Sequence, residues 1–156
     1  MGQNILVAFD DSENAMRAVE FIVKSFTPQN KITLFHVFQD TAALCEMNSP
    51  ELSDYFLSQQ TAFCALEDKK KRLVDKAMEK AKAIFLDAGF GPSDVTLKME
   101  AKNKGVARDI VDEAQSGYDI IVVGRRGLSA VKEFFFGSVS QKVINGVKDV
   151  SVLIVN

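Results

Sequence analysis

Five short apolar runs, separated by segments of helical periodicity, constrain the fold of this chain more than any other feature. They occupy residues 4–10, 31–37, 95–101, 119–124 and 151–155. Most are rich in Ile, Val, Leu and Phe, which is typical of buried parallel strands. The run 95–101 alternates more between apolar and polar residues, so we predict that this strand lies near a sheet edge.

Helical patterns fill the gaps between the apolar runs. Ser12 is the predicted N-cap of a first helix that stops before Pro28, and Gly89 is predicted to close a second helix over 66–88. Two further helices are expected over 105–115 and from Gly137–Ser138 onward. This alternation predicts one α/β domain over residues 1–156, with an open five-stranded parallel sheet and helices on both faces.

Residues 40–64 interrupt this alternation. A helix start is expected near residues 48–51, and apolar side chains follow at Leu52, Tyr55, Phe56 and Phe63. We expect an extra half-buried helix here. The alternative is a lid or a partner surface.

Composition narrows the class of protein. A net charge of −2 gives no electrostatic reason to expect a nucleic acid as partner. No apolar run approaches the roughly 20 residues of a membrane span. The N-terminus lacks the pattern expected of a secretory signal. Cys45 and Cys64 are expected to be free thiols in a reducing cytoplasm, and His36, the only histidine, a core residue. These residues match no zinc-ligand spacing.

A glycine pattern follows the fourth run, in the stretch GRRGLSAVKEFFFGSVS. Gly124 and Gly127 permit close backbone approach to a ligand, and Gly137–Ser138 opens a helix whose free N–H groups favour an anion. The hydroxyls of Ser138 and Ser140 add possible hydrogen bonds. Neither a Walker A loop nor a GxGxxG fingerprint is present. Together these residues predict a two-part phosphate clamp.

The chain resembles the ATP-binding subclass of the universal stress protein family over its whole length. The Gly-x2-Gly-x9-Gly-Ser signature of that subclass appears in this chain as GRRGLSAVKEFFFGS, and ILVAFDDSENA, LFHV and DIIVVGRRG resemble the family's first, second and fourth strands. The resemblance implies the strand order 3-2-1-4-5. It also implies a homodimer joined largely through residues 151–155, which is physically sensible because an apolar edge strand favours pairing.

The resemblance further implies site residues. Val37 is expected to contact adenine, and Asp10 to lie beside ribose and phosphates. Independently of the resemblance, Asp10 and Asp11 are clustered carboxylates near the site that could hold Mg²⁺ bridging the phosphates, with Asp10 as the predicted ligand. Arg125 stands where many members carry a small hydroxyl residue, so it either adds charge to the phosphates or crowds the site. The nucleotide-binding set is Ala8, Phe9, Asp10, Val37, Val123, Gly124, Arg126, Gly127, Gly137, Ser138, Val139 and Ser140.

These observations favour a cytoplasmic, homodimeric regulatory protein of the stress response that binds ATP or another adenine nucleotide. No catalytic residue is predicted, so we expect slow hydrolysis or autophosphorylation at most. ATP, AMP and cyclic AMP are not separated by the sequence. One alternative is a nucleotide-free family member that acts as a dimeric protein-interaction module. Another is an ATP-using enzyme, but DDSENA lacks the glycines of adenylating pyrophosphatases. A phospho-receiver is set aside because VTLKMEAKNKG has no acceptor Asp.

Overall fold

The computed structural model describes residues 2–47, 51, 53–125 and 137–156. Its strands are β1 (Asn4–Ala8), β2 (Lys31–Phe38), β3 (Val95–Ala101), β4 (Ile120–Gly124) and β5 (Ser151–Val155). Its helices are α1 (Glu13–Ser25), α2 (Ala42–Cys45), α3 (Asp54–Asp87), α4 (Val106–Ala114) and α5 (Ser138–Gly146), with a 3-10 turn at Pro92–Asp94. The predicted strands are therefore confirmed to within two residues at each end.

The strands form one parallel sheet in the order β3-β2-β1-β4-β5, which confirms the predicted order. β1 lies at the centre, where Val7 pairs with Leu34 of β2 and with Val122 of β4. β3 is an edge strand, as its alternating sequence predicted. From β1, the next two strands are added on one side of the sheet and the last two on the other side. The strand order therefore changes direction between β1 and β4.

Each face of the sheet carries its own apolar core, because successive side chains of a strand point to opposite faces. Ile5 and Val7 pack with α1 and α3, and Leu6 packs with α4 and α5. All three side chains are fully buried. The helices on both faces that the sequence predicted are thus confirmed.

The helix ends follow local chemistry. Ser12 caps α1 by accepting a hydrogen bond from the Ala15 N–H at 3.2 Å, as predicted. Gly89 follows α3 with φ of +98°, a conformation that favours glycine. No helix in the described part of the chain has the length and apolar character to cross a membrane.

The structure corrects the expected start of the second helix. α3 begins at Asp54, not Leu66, and the Ser53 hydroxyl caps it by accepting from the Phe56 N–H at 3.2 Å. Burial along α3 begins only at Val74, and Tyr55 is 76% exposed. The expectation of a separate, half-buried helix over 40–64 is therefore wrong. Residues 54–73 are the N-terminal part of α3, and this part contributes no buried residue to the core. Of the predicted helix start at 48–51, residues 48–50 lie outside the described residues, and so does Leu52.

The prediction of free thiols is wrong. Cys45 at the end of α2 and Cys64 in α3 form a disulfide, with their Cα atoms 5.9 Å apart. The two residues are separated by 19 positions, but α2 lies beside the N-terminal part of α3 and brings them together. Sequence separation alone carries no information about that distance.

Candidate functional site

A cavity of about 350 Å³ opens where the carboxyl ends of β1, β2 and β4 meet the start of α5. We call it the strand-end cavity. Open parallel sheets form such a crevice where the strand order changes direction, which in this chain is between β1 and β4. The cavity is lined by ten of the twelve predicted nucleotide-binding residues: Ala8, Phe9, Asp10, Val37, Val123, Gly124, Gly137, Ser138, Val139 and Ser140.

The floor of the cavity is apolar. Phe9, Val37 and Val123 each expose 6% or less of their surface. The Phe9 N–H donates to the Phe35 carbonyl oxygen at 2.8 Å, so the β1–β2 pairing continues beyond the end of β1. A flat heteroaromatic ring suits such a rigid apolar floor.

Asp10 is the one acidic side chain among the described lining residues. Its Oδ1 accepts a hydrogen bond from the Ser12 N–H at 2.8 Å, which fixes the carboxylate at the start of α1. A carboxylate has about four acceptor positions, so Asp10 retains acceptor capacity toward hydroxyl groups of a ligand.

The start of α5 supplies donors on the opposite wall. The Gln141 N–H bonds the Gly137 carbonyl at 3.0 Å, which is the first bond of the helix. Helix geometry therefore leaves the N–H groups of Ser138, Val139 and Ser140 without acceptors inside the helix. These groups and the helix dipole favour an anion.

Two hydrogen bonds attach α5 to the end of β4. The Ser140 hydroxyl, which is buried, donates to the Gly124 carbonyl at 2.7 Å, and the Gly137 N–H donates to the Arg125 carbonyl at 2.9 Å. The Ser140 hydroxyl proton is thus already used, and the backbone N–H of Ser140 is its donor toward a ligand. The start of α5 is held in place by the same strand that forms the floor.

Arg125 points away from this arrangement. Its Nη1 donates to the Asn156 side-chain oxygen at 3.2 Å, and its backbone N–H donates to the Val155 carbonyl at 2.8 Å. Arg125 is not among the cavity-lining residues. Arg126 and Gly127 lie outside the described residues, so their expected phosphate contacts stay predictions.

Sequence reasoning missed several lining residues, including Ser12, His36, Val106 and Ile110. The expectation that His36 is a core residue is wrong, because its side chain is half-buried at the cavity wall, with its Nδ1 2.9 Å from the Phe9 carbonyl oxygen. Since a carbonyl oxygen only accepts, Nδ1 is the donor and the ring is held beside the cavity. The position of His36 next to Val37 at the end of β2 was the signal available for it.

Val106 and Ile110 of α4 line the cavity wall, and Asp109 fixes the start of that helix. Its largely buried carboxylate accepts from the N–H groups of Asn103 at 2.8 Å and Lys104 at 3.0 Å. These hydrogen bonds stabilise the charged form and hold the pKa of Asp109 below its usual value. Asp109 therefore acts as an anchor of the loop before α4.

The described residues contain no group of three or more His, Cys, Asp or Glu side chains placed to hold a metal ion. Asp10 alone is too few ligands for Mg²⁺, which takes carboxylate and phosphate oxygens together with water. A larger depression of about 1000 Å³ lies between α4 and α5. Its lining comes from α4, α5 and the loop before α4, and it includes no strand residue.

Comparison with known proteins places this geometry in a family. The family model described as the universal stress protein family matches residues 1–156, so the chain belongs to that family. Universal stress protein YxiE of Bacillus subtilis (strain 168) is 27% identical over 145 residues, which cover 92% of each protein.

Solved structures agree with the fold. Hypothetical protein MJ0577 is 25% identical with a TM-score of 0.72, over 99% of this chain and 96% of that one. A universal stress protein in complex with cAMP has a TM-score of 0.62 at 20% identity, over 99% of this chain and 97% of its own. The single-domain α/β architecture with five parallel strands is shared with these proteins.

Proposed function

We propose that this chain is a regulatory protein of the stress response that binds an adenine nucleotide in the strand-end cavity. One observation carries the proposal: the free N–H groups at the start of α5 and the Asp10 carboxylate face one cavity across an apolar floor. The N–H groups of α5 fit a phosphate, the Asp10 carboxylate fits the hydroxyl groups of a ribose, and the apolar floor fits the flat adenine ring. A related fold bound to cAMP supports an adenine nucleotide as ligand.

Each part of the ligand has a proposed partner. The base lies at Val37, where backbone groups at the end of β2 contact its edge, and the ribose lies near Asp10 and Gly124. The phosphates bind the N–H groups of Ser138, Val139 and Ser140, with Gly127 and Arg126 completing the clamp. Mg²⁺, bound mainly by phosphate oxygens and assisted by Asp10, would neutralise phosphate charge.

Binding is favoured over turnover. Asp10 is the one carboxylate among the described lining residues, and it is fixed by the Ser12 N–H. The Nδ1 of His36 is likewise held by the Phe9 carbonyl. With both groups engaged in positioning, we propose slow ATP hydrolysis at most. We place the protein in the cytoplasm as a homodimer that pairs through β5.

The pairing through β5 has a physical reason. β5 is an edge strand in the described sheet, and Ile154 exposes 36% of its surface while belonging to neither core cluster. An apolar edge strand tends to pair with another strand. Pairing with a second copy would cover both the backbone edge and Ile154.

The proposal is tested on protein purified without added nucleotide. The protein is denatured, and the supernatant is separated by ion exchange beside nucleotide standards. Calorimetric titrations with Mg-ATP, AMP and cyclic AMP follow. We expect co-purified adenine nucleotide, or binding of at least one of the three. An empty protein that binds none of them overturns the proposal.

The exposed part of α3 favours a second function. Tyr55, Leu66 and Leu73 expose 76%, 51% and 42% of their surfaces, and helix geometry places all three on one face of α3. A dimeric protein-interaction module that uses this face needs no nucleotide. Loss of nucleotide binding in every titration would leave this function as the remaining one.

A further inference from the structure

Helix α2 is held in place by few contacts. It has four residues, none of them buried, and no side-chain cap at Thr41. Its ties in the described structure are the Ala42 N–H to Asp40 Oδ1 at 3.1 Å, and hydrogen bonds from the Gln60 side chain to the Leu44 and Met47 carbonyls, the latter at 3.0 Å. The Cys45–Cys64 disulfide is the covalent tie to α3. Segments with little apolar burial open easily, so the disulfide is the principal restraint on α2.

α2 forms one wall of a second cavity, which we call the α2 cavity. It measures about 420 Å³ and lies between α2, α3 and the end of β2. Cys45 belongs to its lining, as do Lys71 and Val74 of α3. His36 and Val37 line both the α2 cavity and the strand-end cavity. The disulfide therefore borders a compartment that meets the proposed base-binding end of the nucleotide site.

The disulfide is placed where thiols can reach it. Cys45 and Cys64 are both half-buried, and neither belongs to a core cluster. In a reducing cytoplasm, where we have proposed that this chain lies, a disulfide is usually transient or redox-sensing. Exchange with an external thiol requires such access to a sulfur atom.

We propose that the Cys45–Cys64 pair is a thiol-operated control of nucleotide affinity at the base end of the site. This inference rests on the proposed function. In the oxidised state the disulfide holds α2 as a wall beside Val37. In the reduced state α2 separates from α3, and the wall is present only part of the time.

The redox step uses a dithiol reductant, and its atoms balance. One thiolate of the reductant attacks a sulfur of the pair, breaks the S–S bond and forms a mixed disulfide. The second thiol of the reductant then displaces the remaining cysteine sulfur. Two electrons and two protons pass to the protein, which leaves two cysteine thiols and an oxidised, disulfide-bonded reductant. A disulfide oxidant reverses the step.

The expected effect on affinity follows from the population of the closed wall. The apparent Kd equals the intrinsic Kd divided by the fraction of molecules in the competent state. A wall present in about 10–30% of reduced molecules therefore raises the Kd about 3- to 10-fold. Because the control acts at the base end, AMP is expected to lose affinity by the same factor as Mg-ATP.

The test compares the oxidised protein, the protein reduced with dithiothreitol, and a Cys45→Ser/Cys64→Ser variant. Amide hydrogen exchange is measured over residues 45–47, whose N–H groups donate to the carbonyls of Thr41, Ala42 and Leu44, and Mg-ATP and AMP are titrated by calorimetry. We expect reduction to accelerate exchange, as for local opening, and to raise both Kd values about 3- to 10-fold. The double-serine variant should match the reduced protein and show no response to dithiothreitol.

The outcomes separate this inference from the proposed function. Tight nucleotide binding with the same Kd in oxidised and reduced protein overturns the thiol control and leaves the proposed function intact. Unchanged exchange over residues 45–47 also overturns the thiol control. An absence of nucleotide binding in every state overturns the proposed function, and the thiol control with it.

Discussion

Replacing Ser138 by glutamate tests the phosphate contact with opposite effects on stability and on affinity. Ser138 is the first residue of α5, it is exposed, and its side chain does not cap the helix. A carboxylate in the first turn favours the helix dipole by about 0.3–1 kcal/mol. The same carboxylate repels any phosphate bound at the free N–H groups of that turn.

The repulsion can be estimated from helix geometry. Groups within one turn lie about 5 Å apart. At that distance two like charges interact by about 3 kcal/mol with an effective dielectric constant of 20. Allowing for screening by salt, we expect a loss of about 2–3 kcal/mol. This corresponds to a Kd for Mg-ATP that is roughly 30- to 150-fold higher.

The assay combines calorimetry with thermal unfolding of the Ser138→Glu protein. Ser138→Gln is the matched control, since it adds similar bulk and removes the same hydroxyl without adding charge, so the ratio of the Kd values of the Glu and Gln variants measures the repulsion. The melting temperature of the nucleotide-free Glu variant should equal or exceed that of the wild type by up to about 4 °C. A Kd within twofold of the wild type refutes the placement of phosphate at α5. A higher Kd together with a lower melting temperature would show that the substitution destabilises the fold, and the loss of affinity could then not be assigned to repulsion.

Two further predictions concern the rest of the chain. Acid should destabilise the protein partly through Asp109: its folded pKa is lowered, so the stabilisation is full above the unfolded value near 3.8 and is lost as pH falls below it. Asp109→Asn should flatten the pH dependence of the melting temperature below about pH 4, and an unchanged slope would contradict this role. Ile154→Lys on β5 should convert a dimer of about twice 17.2 kDa into a monomer, because an edge lysine opposes strand pairing. Light scattering after size exclusion measures this, and a wild-type monomer or a dimeric variant would remove the β5 interface.

The strand-end cavity was predictable because its residues follow strands in the sequence. Asp10, Val37 and Gly124 each lie at or just after a strand end, and parallel strands place their carboxyl ends at one edge of the sheet. The Gly137–Ser138 pair marks the start of a helix by local chemistry alone. Periodicity and turn residues act over a few positions, so a single sequence reveals them.

The α2–α3 pair was not predictable in the same way. Cys45 and Cys64 gave no spacing signal, and their contact depends on how α2 lies against a helix that begins 12 residues earlier than expected. The direction of the Arg125 side chain likewise depends on Asn156, which is 31 positions away. Neither contact is encoded by a local pattern.

The sequence by itself determined the five strands, the existence of the helices between them and their order along the chain, since strand and helix periods and caps are local properties. Only the tertiary structure decided which distant residues meet: His36 with Phe9, Arg125 with Asn156, and Cys45 with Cys64. These contacts join segments whose relative placement is set by packing against the sheet. Packing depends on the whole chain at once, and no short window of sequence contains it.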